Sequence, residues 1–177
     1  DGSSSDYFGY SVAINGDRII VGAYRDYSNN GSYSGSAYVF ERSSSGTWAQ
    51  VARLTASDGA SNDYFGYSVA ISGDAIIVGS YRDDDKGSDS GSAYIFERSS
   101  ATTPWTQVTK LTALDGSSSD HFGTSVAISG DRVVVGAYGD DELGGDPGSA
   151  YVFQRNSSGA WAQTARLIAP DGSSSDH

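Results

Sequence analysis

The chain has 177 residues, no Cys, and 22 acidic against 11 basic residues, which gives a formal net charge of −11. This composition excludes a disulfide framework, and the acidic balance argues against nucleic acid as a partner, because a phosphate backbone requires a basic surface. No apolar run is long enough to span a bilayer, so we expect no membrane insertion.

One segment of the sequence is repeated along the chain. DGSSSDYFGYSVAI at residues 1–14 comes back with few changes at 58–71 and 115–128, and its opening returns at 171–177. A period of about 57 residues indicates propeller blades or another stacked array. We therefore predict repeats at 1–57, 58–114 and 115–170, with 171–177 as the start of a further repeat. Because the chain has no Met, we expect it to be a segment of a longer precursor.

Each repeat predicts four β-strands and no helix. In the first repeat the strands are expected at 8–14, 18–24, 35–42 and 48–55, and Asn15-Gly16-Asp17 between the first two is a tight-hairpin signal. Four antiparallel strands per unit predict an all-β fold of three four-stranded propeller-type blades, as part of a larger propeller or array. The first strand of each blade is expected to be innermost.

Aromatic residues and glycines recur at fixed positions in the repeats. The Phe and Trp of each repeat are expected to pack between neighbouring blades, and Gly within a strand marks close backbone approach. The Phe-Gly and following Gly positions are Phe8, Gly9 and Gly22, then Phe65, Gly66 and Gly79, then Phe122, Gly123 and Gly136; the Trp positions are Trp48, Trp105 and Trp161.

These paired motifs resemble the FG-GAP repeat family, which includes the propeller heads of integrin α subunits. The Phe-Gly element opens each repeat, and the Gly-Ala-Pro element appears as Gly22-Ala23-Tyr24, Gly79-Ser80-Tyr81 and Gly136-Ala137-Tyr138, with Tyr in place of Pro. The chain looks closest to a short-hairpin branch found in microbial surface proteins. The resemblance implies a β-propeller and a place outside the cell or on its surface.

The integrin-like repeats carry a calcium loop between the two motif strands, but here that link is only Asn15-Gly16-Asp17. It is too short to surround a cation with six to eight oxygen ligands. The loops between the second and third strands offer oxygen atoms at alternate positions instead, so calcium is expected there if anywhere. The candidate ligands are Asp26, Ser28 and Asn30, then Asp83, Asp85 and Asp89, then Asp140, Glu142 and Asp146.

The other interpretation of these loops is that they are solvated turns. Strand order puts them on one face with the links between repeats, so most acidic residues gather there. In those links Asp6, Asp63 and Asp120 are expected to accept hydrogen bonds from backbone N–H groups, and metal binding is the alternative.

Catalysis finds little support in the sequence. His121 and His177 stand where Tyr7 and Tyr64 stand in other repeats, so they are interpreted as substitutions at an aromatic position. No nucleophile elbow or zinc-binding His pair is present, and we expect no enzyme.

Two surface features leave alternatives open. The tyrosines of the loop face either stack on sugars or pack against neighbouring blades. Asn30 and Asn156 match the N-glycosylation sequon. The tyrosines in question are Tyr10, Tyr67, Tyr27 and Tyr33.

Two functions remain from different classes. The first is an extracellular structural or adhesive repeat protein, a segment of a larger surface assembly or filament. Its partners are other copies of itself or further repeats of the same chain. The second is a ligand-binding propeller that recognises a protein or a glycan through its acidic loop face. Closure of the ring separates the two functions. Propellers typically need four to eight blades, so three blades leave two open sheet faces that must be covered by further repeats or by other copies.

Overall fold

The computed structural model describes residues 5–28, 30–141 and 148–169, and within these ranges the regular secondary structure is entirely β. The strands form three four-stranded antiparallel sheets, each built from four consecutive strands in chain order. The predicted all-β fold of three propeller-type blades is therefore confirmed. Among the described residues, no helix is long and apolar enough to cross a membrane.

The three blades have matching strands. Blade 1 contains β1 (Ser11–Asn15), β2 (Arg18–Ala23), β3 (Ser36–Arg42) and β4 (Trp48–Leu54). Blade 2 contains β5 (Ser68–Ser72), β6 (Ala75–Ser80), β7 (Ser92–Glu97) and β8 (Thr106–Leu111). Blade 3 contains β9 (Phe122–Ser129), β10 (Arg132–Ala137), β11 (Ser149–Arg155) and β12 (Trp161–Leu167). The first strands β1, β5 and β9 contact one another in turn, which places them together at the inner edge.

The first strand of blade 1 begins later than the sequence predicts. Tyr7 and Gly9 adopt φ angles of 55° and 92°, and Tyr10 N–H donates to the carbonyl of Tyr7. Positive φ angles interrupt the regular extended backbone, and the hydrogen bond from Tyr10 closes a turn here. The Phe-Gly element of this blade is therefore a turn that leads into β1 rather than part of it.

The apolar core lies between the blades. One cluster joins Ile20, Val39 and Leu54 of blade 1 to Phe65 and Val69 of blade 2, together with their buried neighbours. A second cluster joins the matching residues of blades 2 and 3 around Phe122. Blade 2 thus buries one face on blade 1 and the other on blade 3.

The expected burial of the repeated Phe holds for two positions and is wrong for the third. Phe65 and Phe122 are fully buried, whereas Phe8 is 56% exposed. Phe8 packs edge-on against Tyr38 and Phe40 of its own blade, as Phe65 does in blade 2, but no preceding blade covers its other side.

The Trp positions differ in the same way. Trp105 is buried in the cluster between blades 1 and 2, and Arg98 lies over its ring at 4.8 Å. Trp161 is only partly buried, and Trp48 is exposed, so the expectation of a buried Trp in every blade is corrected for Trp48. It belongs to the same uncovered side of blade 1 as Phe8.

Two glycines show why the blades approach so closely. A Cβ atom at Gly22 would stand 2.0 Å from the carbonyl oxygen of Gly66, and one at Gly79 would stand 2.0 Å from that of Gly123. The backbone of each following Phe-Gly element therefore rests directly on the second strand of the blade before it, where no side chain fits.

Candidate functional site

The first aspartate of the acidic loop between the second and third strands is held in the same way in every blade. Asp26 accepts a hydrogen bond from the Tyr38 hydroxyl at 2.5 Å and from the Arg53 guanidinium at 2.9 Å. We call this arrangement the Asp–Tyr–base triad. It recurs as Asp83, Tyr94 and Lys110 in blade 2, and as Asp140, Tyr151 and Arg166 in blade 3.

The three aspartates of these triads are buried, so their negative charges require partners. Burial and the hydrogen bond to Asp26 raise the pKa of Tyr38 to about 12. Burial and the charge of Asp83 raise the pKa of Tyr94 as well. Each of these two tyrosines therefore stays protonated, and its hydroxyl donates a hydrogen bond to the carboxylate. The triad ties the loop to the third and fourth strands of its own blade.

Lys110 pairs with three carboxylates. Its ammonium lies 2.9 Å from Asp58, 2.9 Å from Asp83 and 2.6 Å from Asp85. Burial by itself lowers the pKa of Lys110, but the hydrogen bonds to these carboxylates raise it above its ordinary value. The ammonium thus fills the position at which a bound cation would meet the same oxygen atoms.

The other candidate calcium ligands are mostly engaged elsewhere. The Asn30 amide donates to the carbonyl of Ala56 at 2.6 Å, and Ser28 shares a hydrogen bond with Ser34. Asp89 lies 3.9 Å from Arg82. Glu142 and Asp146 lie outside the described residues. In the described parts of the chain, no three acidic or His side chains gather as a metal site. These contacts do not fit calcium ligation, and the calcium site stays a prediction.

The aspartates of the links between repeats bind backbone, as the sequence indicates. Asp63 accepts from the Ala60 N–H at 2.6 Å, and Asp120 accepts from the Ser117 N–H at 2.6 Å. Burial raises the pKa of Asp63 to about 6, and the nearby charges of Asp83 and Asp84 add to this effect. The expected capping role is confirmed for Asp63 and Asp120.

The repeated tyrosines form a continuous belt across the three blades. Neighbouring rings lie 4.3 to 5.8 Å apart, and most pairs are tilted or edge-on, which is the usual geometry of packed aromatic rings. Arg25 and Arg82 each lie within 6 Å of rings in the belt. The members of the tyrosine belt are Tyr7, Tyr10, Tyr24, Tyr64, Tyr67, Tyr81, His121 and Tyr138.

The belt decides between the two interpretations of Tyr10 and Tyr67. Their rings lie 4.9 Å apart and their hydroxyls share a 2.9 Å hydrogen bond across blades 1 and 2, so they pack between blades. His121 stacks on Tyr138 at 4.9 Å with an angle of 19°, which agrees with its interpretation as a substituted aromatic. Tyr27 and Tyr33 lie outside the belt as an exposed pair 6.0 Å apart.

The two sequon asparagines have different surroundings. The amide nitrogen of Asn30 is engaged with Ala56, whereas Asn156 is exposed and its side-chain oxygen accepts from Ser158 and Ala160 in a turn. Glycosylation of either residue stays a prediction.

The bases and tyrosines of the triads are the residues that the sequence analysis missed. Arg53, Lys110 and Arg166 occupy one slot of the fourth strand in all three repeats. A basic residue at a fixed position of an otherwise neutral strand is the signal that would have identified a partner for the loop aspartates.

Comparisons with known proteins agree with this geometry. A family model described as FG-GAP repeat matches residues 1–40, 48–96 and 105–153. No curated protein matches the chain. Among solved structures, the chain is similar in fold to the crystal structure of Saccharomyces cerevisiae Sqt1, with 12% identity and a TM-score of 0.54. The match covers 95% of this chain and 38% of that one. The repeated Phe-Gly elements, the four-stranded blades and the family match lead to one conclusion: the chain belongs to the FG-GAP repeat family.

Proposed function

We propose that this chain is a structural and adhesive repeat module of an extracellular assembly. FG-GAP repeats are typical of extracellular proteins, and this supports a place outside the cell or on its surface. The proposal assigns no enzymatic activity, because the repeated polar residues of the described chain are used to hold loops and blades together.

The observation that carries the proposal is the contrast between Phe8 and Phe65. The two residues occupy the same position in successive repeats, yet the first is 56% exposed and the second is fully buried. A large apolar side chain gains free energy when another blade removes it from water. Blade 1 therefore has the surface of an internal blade, as expected for a segment of a larger propeller or filament.

The experiment is surface labelling. Antibodies raised against the 177-residue chain are applied to intact and to permeabilised cells of an organism that produces it. Labelling of intact cells, and its loss after brief protease treatment of the cell surface, supports the proposal. Labelling that appears only after permeabilisation would contradict it.

A second candidate is a ligand-binding propeller module. The observation that favours it is the Tyr27–Tyr33 pair on the acidic loop of blade 1, where Tyr27 is 61% exposed and Ser32 donates to its hydroxyl at 2.6 Å. Exposed tyrosines beside polar groups are common in recognition surfaces. Saturable binding to one class of glycan or protein, lost in a Tyr27→Ala/Tyr33→Ala variant, would favour this candidate.

A further inference from the structure

We propose that a second copy of this chain covers the open faces of blades 1 and 3, in a head-to-tail arrangement that closes a six-bladed ring. This inference rests on the proposed function and names its partner. The leading face is the side of blade 1 formed by Phe8, Val12 and Ile14. The trailing face is the side of blade 3 formed by Val134, Leu167 and Ala169.

The two faces have the composition of the interfaces inside the chain. Val12 is 66% exposed, and its counterpart Val69 in blade 2 is 8% exposed. Leu167 is 52% exposed, and its counterparts Leu54 and Leu111 are each 4% exposed. The leading face therefore matches surfaces that pack on a preceding blade, and the trailing face matches surfaces that pack on a following blade.

The backbone of the trailing face is also shaped for a following blade. Gly35 and Gly91 lie so close to the next Phe that a Cβ atom would stand 2.0 Å from its carbonyl oxygen. Gly148 occupies the same position in blade 3 with a φ of 70°. Its Cβ position meets no atom of another blade and has Tyr138 of its own blade as its nearest neighbour, at 3.2 Å. Gly148 is thus placed to receive Phe8 of a second copy.

A hydrogen-bond donor completes this socket. Ser11 donates to the carbonyl of Gly66 at 2.8 Å, and Ser68 donates to that of Gly123 at 2.7 Å. Ser125 is the third member of this series and lies beside Gly136. In the proposed contact it donates to the carbonyl of Gly9 of the second copy.

Charge pairing sets the register of the contact. Arg18 of blade 1 pairs with Asp74 of blade 2 at 3.0 Å. The counterpart of Arg18 in blade 3 is Arg132, which is exposed, and the counterpart of Asp74 in blade 1 is Asp17, whose side chain is 72% exposed. In the head-to-tail arrangement Arg132 of one copy meets Asp17 of the other.

Two copies of the 177-residue chain together hold six of these blades. A ring of six lies within the usual range of about four to eight blades. Two copies then share two identical interfaces, each between a leading face and a trailing face, which satisfies closed two-fold symmetry.

Light scattering after size exclusion tests the inference, with the 18.4 kDa mass of one chain as the reference. We expect a dimer for the natural sequence. Asp17→Arg and Arg132→Asp each place like charges at both interfaces and should raise the dimer Kd about tenfold or more. The double variant Asp17→Arg/Arg132→Asp restores opposite charges and should recover most of the affinity. Lys86→Asp, an exposed change in blade 2 with the same charge difference as Arg132→Asp, is the matched control.

A cross-link gives an independent readout, because the chain has no Cys. When Asp17→Cys chains are mixed with Arg132→Cys chains and oxidised, a covalent dimer should form between the two kinds of chain. Thermal melts of every variant verify that the fold is retained.

The outcomes separate this inference from the function on which it rests. Larger or irregular particles that ignore both charge changes would overturn the head-to-tail dimer and leave the assembly module in place. A dimer unaffected by either single variant would overturn the register. A stable monomer would overturn both the inference and the assembly module.

Discussion

The hydroxyl of Tyr94 donates a 2.7 Å hydrogen bond to the buried carboxylate of Asp83. This bond joins the third strand of blade 2 to the loop that precedes it, and the same pair recurs in blades 1 and 3. The first aspartate of each acidic loop is therefore fixed from inside its own blade.

Tyr94→Phe should destabilise the fold by about 1–3 kcal/mol, because it removes a hydrogen bond to a buried carboxylate and leaves Lys110 as the remaining partner of that oxygen. Urea unfolding followed by tryptophan fluorescence measures the change. Tyr27→Phe is the control, since its hydroxyl bonds to Ser32 at the exposed surface. Equal stabilities for Tyr94→Phe and the natural sequence would contradict a structural role for the triad.

Phe65→Ala should be strongly destabilising, by about 3–5 kcal/mol, because it opens a cavity between blades 1 and 2. Phe8→Ala removes the same side chain from the exposed position of blade 1, and its effect should be clearly smaller. The free energies of unfolding of the two variants, each relative to the natural chain, measure this difference. Similar losses at the two positions would contradict the difference in burial.

Calcium should have little effect on the natural chain, because the Lys110 ammonium occupies the space between Asp58, Asp83 and Asp85. Lys110→Ser removes that internal cation, and calcium should then raise the melting temperature. A site occupied at 100 times its Kd adds about 2.7 kcal/mol.

Melts in calcium and in chelator measure both effects. Lys86→Ser, at an exposed position of the loop that carries Asp83 and Asp85, is the control. A rise of several degrees in the natural chain would instead support the calcium loops that the sequence pattern predicts.

The stability of the fold should carry a pH dependence from Asp63. Burial raises its pKa to about 6, so the native state binds a proton that the unfolded state, with a pKa near 3.8, has released. The contribution of Asp63 to stability therefore falls as the pH rises from about 4 to about 6.

Asp63→Asn removes this titration and retains an acceptor for the Ala60 N–H. The stability of the variant relative to the natural chain should increase between pH 4.5 and pH 7, by on the order of 1–3 kcal/mol. A constant difference across this pH range would show that Asp63 does not titrate there.

The sequence alone determined the repeat, its period and its four strands. These follow from local chemistry, since the Asn15-Gly16 hairpin and the alternation of strand and turn residues act over a few neighbouring positions. The predicted strand at 18–24 is observed as Arg18–Ala23, and that at 48–55 as Trp48–Leu54. Even the capping role of Asp63 could be predicted, because its acceptor and donor are three residues apart.

The tertiary structure decided which identical residues are buried and what the loop aspartates bind. Phe8 and Phe65 have the same local sequence, and only the presence of a neighbouring blade separates them. Asp26 and Arg53 are 27 residues apart and meet because β3 and β4 return to the loop at one end of the sheet. Such contacts depend on which surfaces the fold brings together. The same residue type therefore gains a different free energy from burial or charge pairing in each blade, because its neighbours differ.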